Sequence, residues 1–330
     1  MKFKAGALFA GIGGFCEGFK KTEIETVWAI DIDEKVERTY AINHQAERFI
    51  RADISEISDS KASGVELEPV DVLHAGFPCQ SFSMAGDRKG FDDPRGKLFF
   101  ELIRVIKEFG DKKPPILVFE NSPYLQIGDR GEWFKKVKTE IQRLGYWFKD
   151  SNAIVIDPQE HLSLPQYRPR LFMVALSRGH FRSGRFSIDF GSETTPVRLS
   201  ELVDFNGKAH ERYYLDPENR YYGMISKEKQ NERETLYQLR KFRVRVKDHC
   251  PTLTANMGLG GHNVPFLFDG QGLRKLTEYE CSKLQGFENF LFPDSIPSSA
   301  KYLQVGNSVH VGVARLIGKA VREKLEAING

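Results

Sequence analysis

Four polar side chains stand at the ends of three apolar, strand-like runs, and their types suit a covalent reaction. Cys79 follows one run in the segment GFPCQ, and Glu120 ends the next run in the segment FENS. Arg168 and Arg170 stand just before a third run. Ligands and reactions gather at the carboxyl ends of the strands in open α/β sheets. A thiol nucleophile, a carboxyl acid and cationic hydrogen-bond donors are together the groups that a reaction on an unactivated heteroaromatic base requires.

Each of these residues, taken alone, has an equally good structural interpretation. Glu120 would be half of a salt bridge, and the two arginines would form surface ion pairs. The four cysteines include no C-x-x-C pair and no companion histidines at zinc spacing, which argues against a structural metal and a disulfide framework. A lone cysteine is most often a small buried hydrophobe. Only Cys79 has surroundings that favour a reactive thiol, because a charged, glycine-rich loop that could close over a substrate follows it.

A glycine-rich turn follows the first apolar run in the segment ALFAGIGGF. Gly11, Gly13 and Gly14 allow a tight turn and a close approach of the backbone to a ligand. Asp31 ends the next run, where a carboxylate can bind ribose hydroxyls. Cys16 occupies the third glycine position of a dinucleotide fingerprint, so S-adenosylmethionine suits this turn at least as well as NAD. A glycine-rich turn without a ligand is the structural alternative.

The first half of the chain alternates short apolar runs with amphipathic helical patterns. This alternation predicts an α/β fold with a doubly wound, Rossmann-like parallel sheet and helices on both faces. The rhythm changes after about Leu176, where aromatic residues, arginine and glycine become frequent. We therefore expect a second, smaller, irregular and β-rich domain. Further on, Thr277 and Glu280 have the spacing of a capping box at the start of a helix.

The composition limits the function without identifying it. A chain of 330 residues, 40% hydrophobic and 28% charged, is typical of a globular protein with one or two domains. No apolar run reaches the roughly 18–20 residues that cross a bilayer, and the first residues carry no signal-peptide pattern. We therefore expect a cytoplasmic protein without a membrane partner. The net charge of +3 does not by itself indicate a nucleic-acid partner.

One segment, LRKFRVRVK, concentrates positive charge in an alternating pattern. Arg243, Arg245 and Lys247 occupy every second position. On a strand these side chains would project from one face, with Phe242 and the two valines after it on the other. Such a face is either simply solvated or a ridge that binds phosphates.

These motifs, in their order and approximate spacing, resemble the DNA (cytosine-5) methyltransferase family of the bacterial restriction-modification type. The resemblance covers nearly the whole chain outside residues 177 to about 250. The segments that carry it are FAGIGG, DIDEK, RADI, GFPCQSFS, FENS, QYRPR, RKLTEYECSKLQGF and QVGNSV. It implies a class I methyltransferase sheet that binds S-adenosyl-L-methionine, releases S-adenosyl-L-homocysteine and needs no metal.

The resemblance implies catalytic roles for Cys79, Glu120, Arg168 and Arg170. The Cys79 thiolate would add to carbon 6 of a cytosine flipped out of duplex DNA. Glu120 would stabilise the charge that develops at ring nitrogen 3, which requires a raised carboxyl pKa near neutral pH. Arg168 would hold the exocyclic oxygen of the base. Carbon 5 would then take the methyl group, and loss of its proton would expel Cys79.

Further residues are carried over from the family by position or, in the second domain, chosen for their base-reading or phosphate-binding chemistry. The residues expected to bind the cofactor are Phe9, Ala10, Gly11, Gly13, Gly14, Asp31, Ile32, Asp53, Pro78, Asn307 and Ser308. The residues expected to bind DNA are Gln80, Ser83, Arg95, Arg243, Arg245, Lys247, Thr252, Thr254 and Asn256.

The resemblance also implies a division into domains. Residues 1–176 and 301–330 would form the catalytic, cofactor-binding domain, 177–270 the target-recognition domain, and 271–300 a hinge between them. The implied partners are double-stranded DNA and a cognate restriction endonuclease that acts on the same site. The protein would act as a monomer at the nucleoid of a prokaryote.

The segment FENS departs from the family at one position, because Ser122 follows Asn121 where valine is usual. Glu120 and Asn121 are retained, so we expect activity with altered packing around the glutamate. The alternatives are an RNA (tRNA) cytosine-5 methyltransferase, a catalytically silent DNA-binding regulator and an NAD-dependent oxidoreductase. The retained catalytic residues argue against the regulator, and the missing third glycine argues against the oxidoreductase.

Overall fold

The contacts between residues divide the chain into two units. The computed structural model describes residues 2–44, 48–57, 66–82, 89–191, 195–229, 234–240, 242–259 and 263–329. Unit 1 comprises Met1–Ile156, Pro169–Phe190 and Val311–Gly330. Unit 2 comprises Asp157–Arg168 and Gly191–His310. The C-terminal residues therefore share a unit with the N-terminal ones.

The contacts divide the chain at other points than the predicted domain bounds. Residues 157–168 and 301–310 belong to unit 2 by their contacts, and 177–190 belong to unit 1. All of the predicted hinge, 271–300, lies in unit 2. The functional domain bounds stay a prediction.

Strands and helices alternate through unit 1 and become shorter in unit 2. The strands are β1 (Phe3–Leu8), β2 (Ile24–Asp31), β3 (Arg48–Arg51), β4 (Val72–Ala75), β5 (Ile116–Asn121), β6 (Tyr146–Trp147), β7 (Ala153–Ile156), β8 (Arg170–Ser177), β9 (Leu236–Arg240), β10 (Arg243–Lys247), β11 (Phe266–Phe268) and β12 (Leu273–Lys275). The helices are α1 (Gly14–Lys20), α2 (Glu34–Asn43), α3 (Pro94–Glu108), α4 (Tyr124–Ile127), α5 (Glu132–Arg143), α6 (Pro158–Leu162), α7 (Leu199–Leu202), α8 (Arg220–Ser226), α9 (Glu278–Leu284), α10 (Ser298–Asn307) and α11 (Val311–Asn329).

The sheet of unit 1 has the order β3-β2-β1-β4-β5-β8-β6, with β7 also paired to β8. The strands from β3 to β5 are parallel, whereas β8 runs antiparallel to β5, β6 and β7. The sequence predicts a parallel sheet throughout, so this antiparallel end is a difference. Its physical reason is that a strand buried on both faces has the same apolar pattern in either direction.

Helices pack on both faces of this sheet. Alternate residues of a strand point to opposite faces. Leu8 and Leu73 share one apolar cluster with Phe99 of α3. Ala7, the neighbour of Leu8, packs on the other face with Tyr40 of α2. This arrangement confirms the predicted doubly wound α/β fold.

The last helix of unit 1 packs closely against the first. A Cβ atom at Gly18 of α1 would come within 2.5 Å of the Ala314 Cβ atom of α11. Only glycine allows this approach without a shift of one helix. The contact brings the C-terminal residues next to the helix that follows the glycine-rich turn.

Unit 2 contains a four-stranded antiparallel sheet of order β10-β9-β11-β12. Its small core includes Ile225, Tyr237 and Phe266. The Thr277 side chain accepts a hydrogen bond from the Glu280 amide, and the Glu280 carboxylate accepts one from the Thr277 amide. The predicted capping box and the predicted smaller, β-rich second region are both confirmed.

Candidate active site

The glycine-rich segment after β1 forms a tight turn that glycine adopts most readily. Gly11 and Gly13 have φ angles of 53° and 84°, in the region that other residues rarely adopt. A Cβ atom at Gly13 would meet His44 Nε2 at 2.2 Å, whereas at Gly11 none of the described atoms lies within 4 Å of that position. Gly14 then begins α1. The turn is packed tightly on one side and leaves open space beside its backbone at Gly11.

Asp31 ends β2 and lies directly beside this turn. Its Oδ2 atom accepts a hydrogen bond from the Gly11 amide at 2.9 Å, and its Oδ1 atom accepts one from the Asp33 amide at 3.1 Å. Burial raises the pKa of the Asp31 carboxyl above its usual value. A carboxylate offers about four acceptor sites, so these contacts leave capacity for the hydroxyl groups of a ligand.

The other residues predicted to bind the cofactor in unit 1 lie around the same strand ends. Phe9 is half-buried and also has a positive φ, 54°. The Ala10 amide donates to the carbonyl at the end of β2 at 2.9 Å. Ile32 is 63% exposed, and Asp53 accepts a hydrogen bond from the Ser55 amide at 2.9 Å. The exposed apolar side chain and the two carboxylates fit an adenosine, although the binding itself stays a prediction.

Sequence reasoning misses two buried histidines, of which His44 lies beside this turn and His74 packs against helix α1. His44 Nε2 is 3.3 Å from the Ile12 carbonyl oxygen and donates to it, since a carbonyl only accepts. His44 Nδ1 is buried without a hydrogen-bond partner in the described part of the chain, and burial lowers the pKa of this imidazole to about 4. His74 on β4 is fully buried, and its pKa is lowered to about 3. The requirement for glycine at position 13 is the one sequence signal that points to a close neighbour.

We expect the stability of this region to fall as the pH falls from about 6.5 towards 4. The unfolded chain binds a proton at His44 near its ordinary pKa, whereas the folded chain binds it only near pH 4. Above about pH 6.5 the neutral His44 therefore contributes up to about 3 kcal/mol to the free energy of unfolding. This contribution is lost as the pH falls towards 4. Chemical denaturation of the wild type and His44→Gln at pH 7.5 and pH 5 measures it. The wild type should lose more stability than the variant, and equal losses would contradict this assignment.

Cys79 lies in a short turn after β4 that buried aromatic rings hold in place. Its carbonyl accepts a hydrogen bond from the Phe82 amide at 2.9 Å. Phe77 and Phe82 are buried on either side, with ring centroids 6.1 Å apart. Of the four cysteines Cys79 alone is partly exposed. Packing therefore fixes the backbone around a partly exposed cysteine.

The remaining cysteines are poor nucleophiles by their environment. Cys16, Cys250 and Cys281 are buried. Burial raises the pKa of the Cys250 and Cys281 thiols above the ordinary value. A thiolate is the reactive form, so the structure separates Cys79 from the other three.

The predicted DNA-binding residues of unit 1 flank the Cys79 turn in sequence. Gln80 is half-buried, and its Oε1 atom has no hydrogen-bond partner among the described residues. Pro78, which is predicted to bind the cofactor, is half-buried, and Ser83 lies outside the described residues. Arg95 donates from its side chain to Asp93 at 2.8 and 2.9 Å while remaining partly exposed. These hydrogen bonds hold the pKa of Asp93 below its usual range.

The end of β5 delivers a carboxylate that is paired with an arginine. Glu120 is 8% exposed, and its Oε1 atom lies 3.1 Å from Arg170 Nε. The fully buried Asn121 donates from Nδ2 to the Phe77 carbonyl at 3.1 Å, two residues before Cys79. Strands β4 and β5 are parallel neighbours. Their carboxyl ends therefore share one edge, and Asn121 ties the carboxylate segment to the Cys79 turn.

Ser122, at the one position that departs from the family pattern, has a local structural role. Its amide donates to the Asn121 side chain at 2.8 Å. Its hydroxyl accepts a hydrogen bond from the Tyr124 amide at 3.3 Å, where α4 begins. A hydroxyl at a helix start satisfies an amide that the helix itself leaves without a partner. Valine would not provide this contact.

Arg168 belongs to unit 2 and is 3% exposed. One terminal nitrogen donates to the Leu253 carbonyl at 2.6 Å, and the other donates to the Gly306 and Ser308 carbonyls at 3.0 and 2.7 Å. Its predicted contact with the base stays a prediction. The three backbone carbonyls fix the position of its guanidinium group within unit 2.

Three of the segments that carry the family resemblance are connected within unit 2 by hydrogen bonds of buried side chains. Gln166 donates to Gln285 at 3.2 Å, and Gln285 donates to the Ser308 carbonyl at 2.8 Å. Ser308 is buried and Asn307 is exposed. These bonds explain why QYRPR, LQGF and GNSV occur together, although contact of Asn307 and Ser308 with a cofactor stays a prediction.

The loop predicted to read bases lies against α10 in unit 2. Thr252 donates to the Tyr167 carbonyl at 2.9 Å, and Thr254 is hydrogen-bonded to the Asn256 side chain. A Cβ atom at Gly306 would come within 2.4 Å of the Thr254 carbonyl carbon. Thr254 and Asn256 are exposed, so their side chains are accessible while the backbone beneath them is closely packed.

The basic strand β10 has the predicted alternation, with one correction. Arg243 and Arg245 are exposed, Lys247 is half-buried, and the valines between them pack against the small core. The predicted placement of Phe242 with these valines is wrong. Phe242 lies in the β9–β10 turn with a φ of 59° and is 69% exposed.

The described parts of the chain also bear on metal binding and on membrane insertion. Within them no group of three or more His, Cys, Asp or Glu side chains is placed to hold a metal ion. None of the described helices combines the length and the apolar character that crossing a bilayer requires.

Comparison with known proteins identifies relatives over nearly the whole chain. A family model described as C-5 cytosine-specific DNA methylase matches residues 3–323. The Type II methyltransferase M.Bsp6I of Bacillus sp. (strain RFL6) is 36% identical over 325 residues, 97% of this chain and 98% of that protein. The Type II methyltransferase M1.ScrFI of Lactococcus lactis subsp. cremoris is 30% identical over 333 residues, 98% of this chain and 79% of that protein.

Solved structures with the same fold are more distant in sequence. The Entamoeba histolytica methyltransferase EhMeth matches with a TM-score of 0.73 and 19% identity, over 98% of this chain and 99% of that chain. At this identity the likeness shows the fold alone.

Proposed function

The chain belongs to the C-5 cytosine-specific DNA methylase family, and we propose that it methylates carbon 5 of a flipped-out cytosine in duplex DNA through a covalent Cys79 adduct. The observation that carries the proposal is the pair of neighbouring parallel strands, β4 and β5. Their ends bring a partly exposed thiol and an arginine-paired carboxyl group to one edge of the sheet.

Cys79 begins the proposed reaction. Its thiolate forms a bond to carbon 6 of the cytosine. The electrons of the carbon 5–carbon 6 double bond shift through carbons 5 and 4 towards ring nitrogen 3. Glu120 donates a proton to ring nitrogen 3, so that no full negative charge accumulates. Carbon 5 becomes nucleophilic and would take the methyl group that bound S-adenosyl-L-methionine supplies, as the bond between that methyl group and sulfur breaks. Water then takes the carbon 5 proton, which re-forms the carbon 5–carbon 6 double bond and expels the Cys79 thiolate, and nitrogen 3 returns its proton to Glu120.

Arg170 is the cation that the structure places beside Glu120. We assign it two roles. It orients the Glu120 carboxyl group, and it donates hydrogen bonds to the exocyclic oxygen of the base. Arg168 acts as a positioning residue in this assignment, because its terminal nitrogens bind three backbone carbonyls. This reverses the emphasis of the family-based expectation, which gave the oxygen to Arg168.

The turn at Gly11 and the carboxylate of Asp31 fit S-adenosyl-L-methionine. Open space at Gly11 admits a ligand to the backbone, and Asp31 can accept ribose hydroxyls. When bound, this cofactor supplies an electrophilic methyl group. Gly13 and Asp31 hold the shape of the site, and Ile32 offers an exposed apolar surface to the adenine.

The duplex would be bound by residues of both units. Gln80 has a buried carbonyl oxygen without a partner in the described residues, and we propose that it pairs with DNA once the target base leaves the stack. In unit 2, Thr254 and Asn256 would read base edges and β10 would bind phosphates. We also propose that the protein acts as a monomer and is paired with a restriction endonuclease of the same specificity.

Methyl transfer to DNA tests this proposal directly. The pure protein is incubated with labelled S-adenosyl-L-methionine and random-sequence duplex DNA, and the product is sequenced after bisulfite treatment. We expect label in the DNA and protected cytosines that share one short context. Label in transfer RNA but not in the duplex would contradict the proposal and favour the RNA methyltransferase.

Replacing Arg243, Arg245 and Lys247 together by glutamine should weaken binding to every duplex. Each lost phosphate contact reduces the slope of log K against log salt by about 0.9. Titrations at several salt concentrations measure this slope for the wild type and the variant. Replacing Lys2, Lys135 and Arg143 of unit 1, all ion-paired, gives a control with the same charge change. An unchanged slope in the β10 variant would leave that strand a merely solvated face.

A further inference from the structure

An aromatic side chain stands exposed at the tip of the β9–β10 hairpin. Strands β9 and β10 pair in register from Arg240 with Arg243 onwards, and Phe242 lies in the turn between them. Phe242 is 69% exposed. An aromatic ring in this position contributes little to the stability of the fold, because the ring buries little surface there.

The backbone at Phe242 is also unfavourable for this residue type. Its φ of 59° lies in the left-handed region, where two-residue hairpin turns prefer glycine or asparagine. A bulky residue with a positive φ is an outlier that the surrounding structure must hold. Such strain concentrates at binding sites. The exposed ring and the strained backbone of Phe242 are both unfavourable for folding, so folding alone does not explain a phenylalanine at this position.

The ring has a cationic and aromatic neighbour on the same side of unit 2. The Arg220 guanidinium carbon lies 4.5 Å from the Tyr221 ring centroid and 5.7 Å from the Phe242 ring centroid. We call Arg220, Tyr221 and Phe242 the aromatic tip. The guanidinium lies next to both rings, so the tip presents flat surfaces with a positive charge among them.

The surroundings of the aromatic tip are strongly basic. The hairpin segment 236–247, LYQLRKFRVRVK, contains five lysines and arginines and no acidic residue. Arg243 and Arg245 are exposed directly beside Phe242. A membrane or an acidic protein would also be attracted to this charge. Aromatic rings on which bases can stack, set among arginines that can bind phosphates, match a nucleic acid most closely.

We infer that the aromatic tip is a wedge that stacks on the bases of duplex DNA, with Phe242 as its point. The inference rests on the proposed function, since it names how unit 2 engages that substrate. Proteins that insert an apolar side chain between base steps partly unstack the duplex there. Arg243 and Arg245 bind the phosphates on either side, and Arg220 keeps the ring oriented before DNA arrives.

The variant Phe242→Asn separates a DNA role from a structural one. Asparagine accepts the positive φ of the turn more easily than phenylalanine, so the melting temperature should stay at or above the wild-type value. Affinity for a 30-base-pair mixed-sequence duplex should fall by about tenfold, as loss of one base–aromatic stack predicts. The salt slope should not change, because no charge is removed. The variant Phe242→Trp, which keeps a flat ring, should retain wild-type affinity.

The control is Leu291→Asn, because Leu291 is also an exposed apolar residue of unit 2 but lies outside the hairpin. It should leave DNA affinity unchanged. Permanganate, which oxidises unstacked thymines, should mark steps in the wild-type complex that are protected in the Phe242→Asn complex. Wild-type affinity and an unchanged permanganate pattern in Phe242→Asn would overturn the wedge. Methylation of the same duplex by the wild type tests the proposed function separately. Absence of methylation would contradict the proposed function, whereas the comparison of DNA affinities would contradict only the wedge.

Discussion

Cys79→Ser is expected to abolish methyl transfer to duplex DNA, leaving less than about a thousandth of the wild-type rate. A serine hydroxyl is far less ionised than a thiol near neutral pH, so the first bond to carbon 6 does not form. The buried rings of Phe77 and Phe82 and the hydrogen bond from the Phe82 amide hold the backbone of the turn around Cys79. The variant should therefore fold normally and bind the cofactor as the wild type does.

Three measurements make this expectation specific. Thermal melting and binding of labelled S-adenosyl-L-methionine show whether the variant is folded and its cofactor site intact. Transfer of label to DNA reports the reaction. Cys16→Ser would be a poor comparison, because Cys16 packs in the core beneath the glycine-rich turn. Substantial turnover by Cys79→Ser would remove the covalent mechanism, whereas loss of folding would leave Cys79 with a structural role.

Glu120→Gln is expected to slow methyl transfer by about 10²–10⁴ and to change DNA affinity little. The amide can still donate a hydrogen bond to ring nitrogen 3, but it cannot transfer a proton, so part of the effect survives. The interaction is made mainly in the transition state, and its loss therefore appears in kcat rather than in binding. Single-turnover rates and duplex titrations measure the two quantities separately.

Glu101→Gln provides the matched control for this variant. Glu101 is also paired with an arginine of unit 1, Arg104, at 2.7 Å, but it lies on helix α3 rather than at the end of a strand. Its replacement should leave methyl transfer unchanged. If Glu120→Gln lost affinity and rate in equal proportion, Glu120 would be a structural partner of Arg170 rather than an acid.

The sequence predicts most of the first unit because its signals are local. A strand that ends in a functional residue is visible as an apolar run followed by a polar side chain, as at Asp31 and Glu120. Gly11 and Gly13 indicate a turn in which the backbone adopts a positive φ. Parallel strands place their carboxyl ends together, so the edge of the sheet follows from the alternation of strands and helices.

Contacts between segments distant in sequence could not be predicted in this way. The His44 imidazole at Gly13 and the three carbonyls at Arg168 depend on tertiary packing, which leaves no local pattern. The alternation of LRKFRVRVK predicts β10 but not where its turn begins. The period of two, continued one residue too far into the turn, wrongly predicts Phe242 on the same face as Val244 and Val246.

The most direct test of the central claim is to capture the bond between Cys79 and a cytosine. A duplex containing the methylated context, with 5-fluorocytosine at the target position, is incubated with the protein and S-adenosyl-L-methionine. Fluorine cannot leave carbon 5 as a proton does, so the thiolate is not expelled and the adduct persists. We expect a denaturation-resistant complex whose mass equals protein, DNA and one methyl group, with the DNA on the peptide that contains Cys79. Attachment to another residue, or methylation of the ordinary duplex without any complex on the fluorinated one, would contradict it.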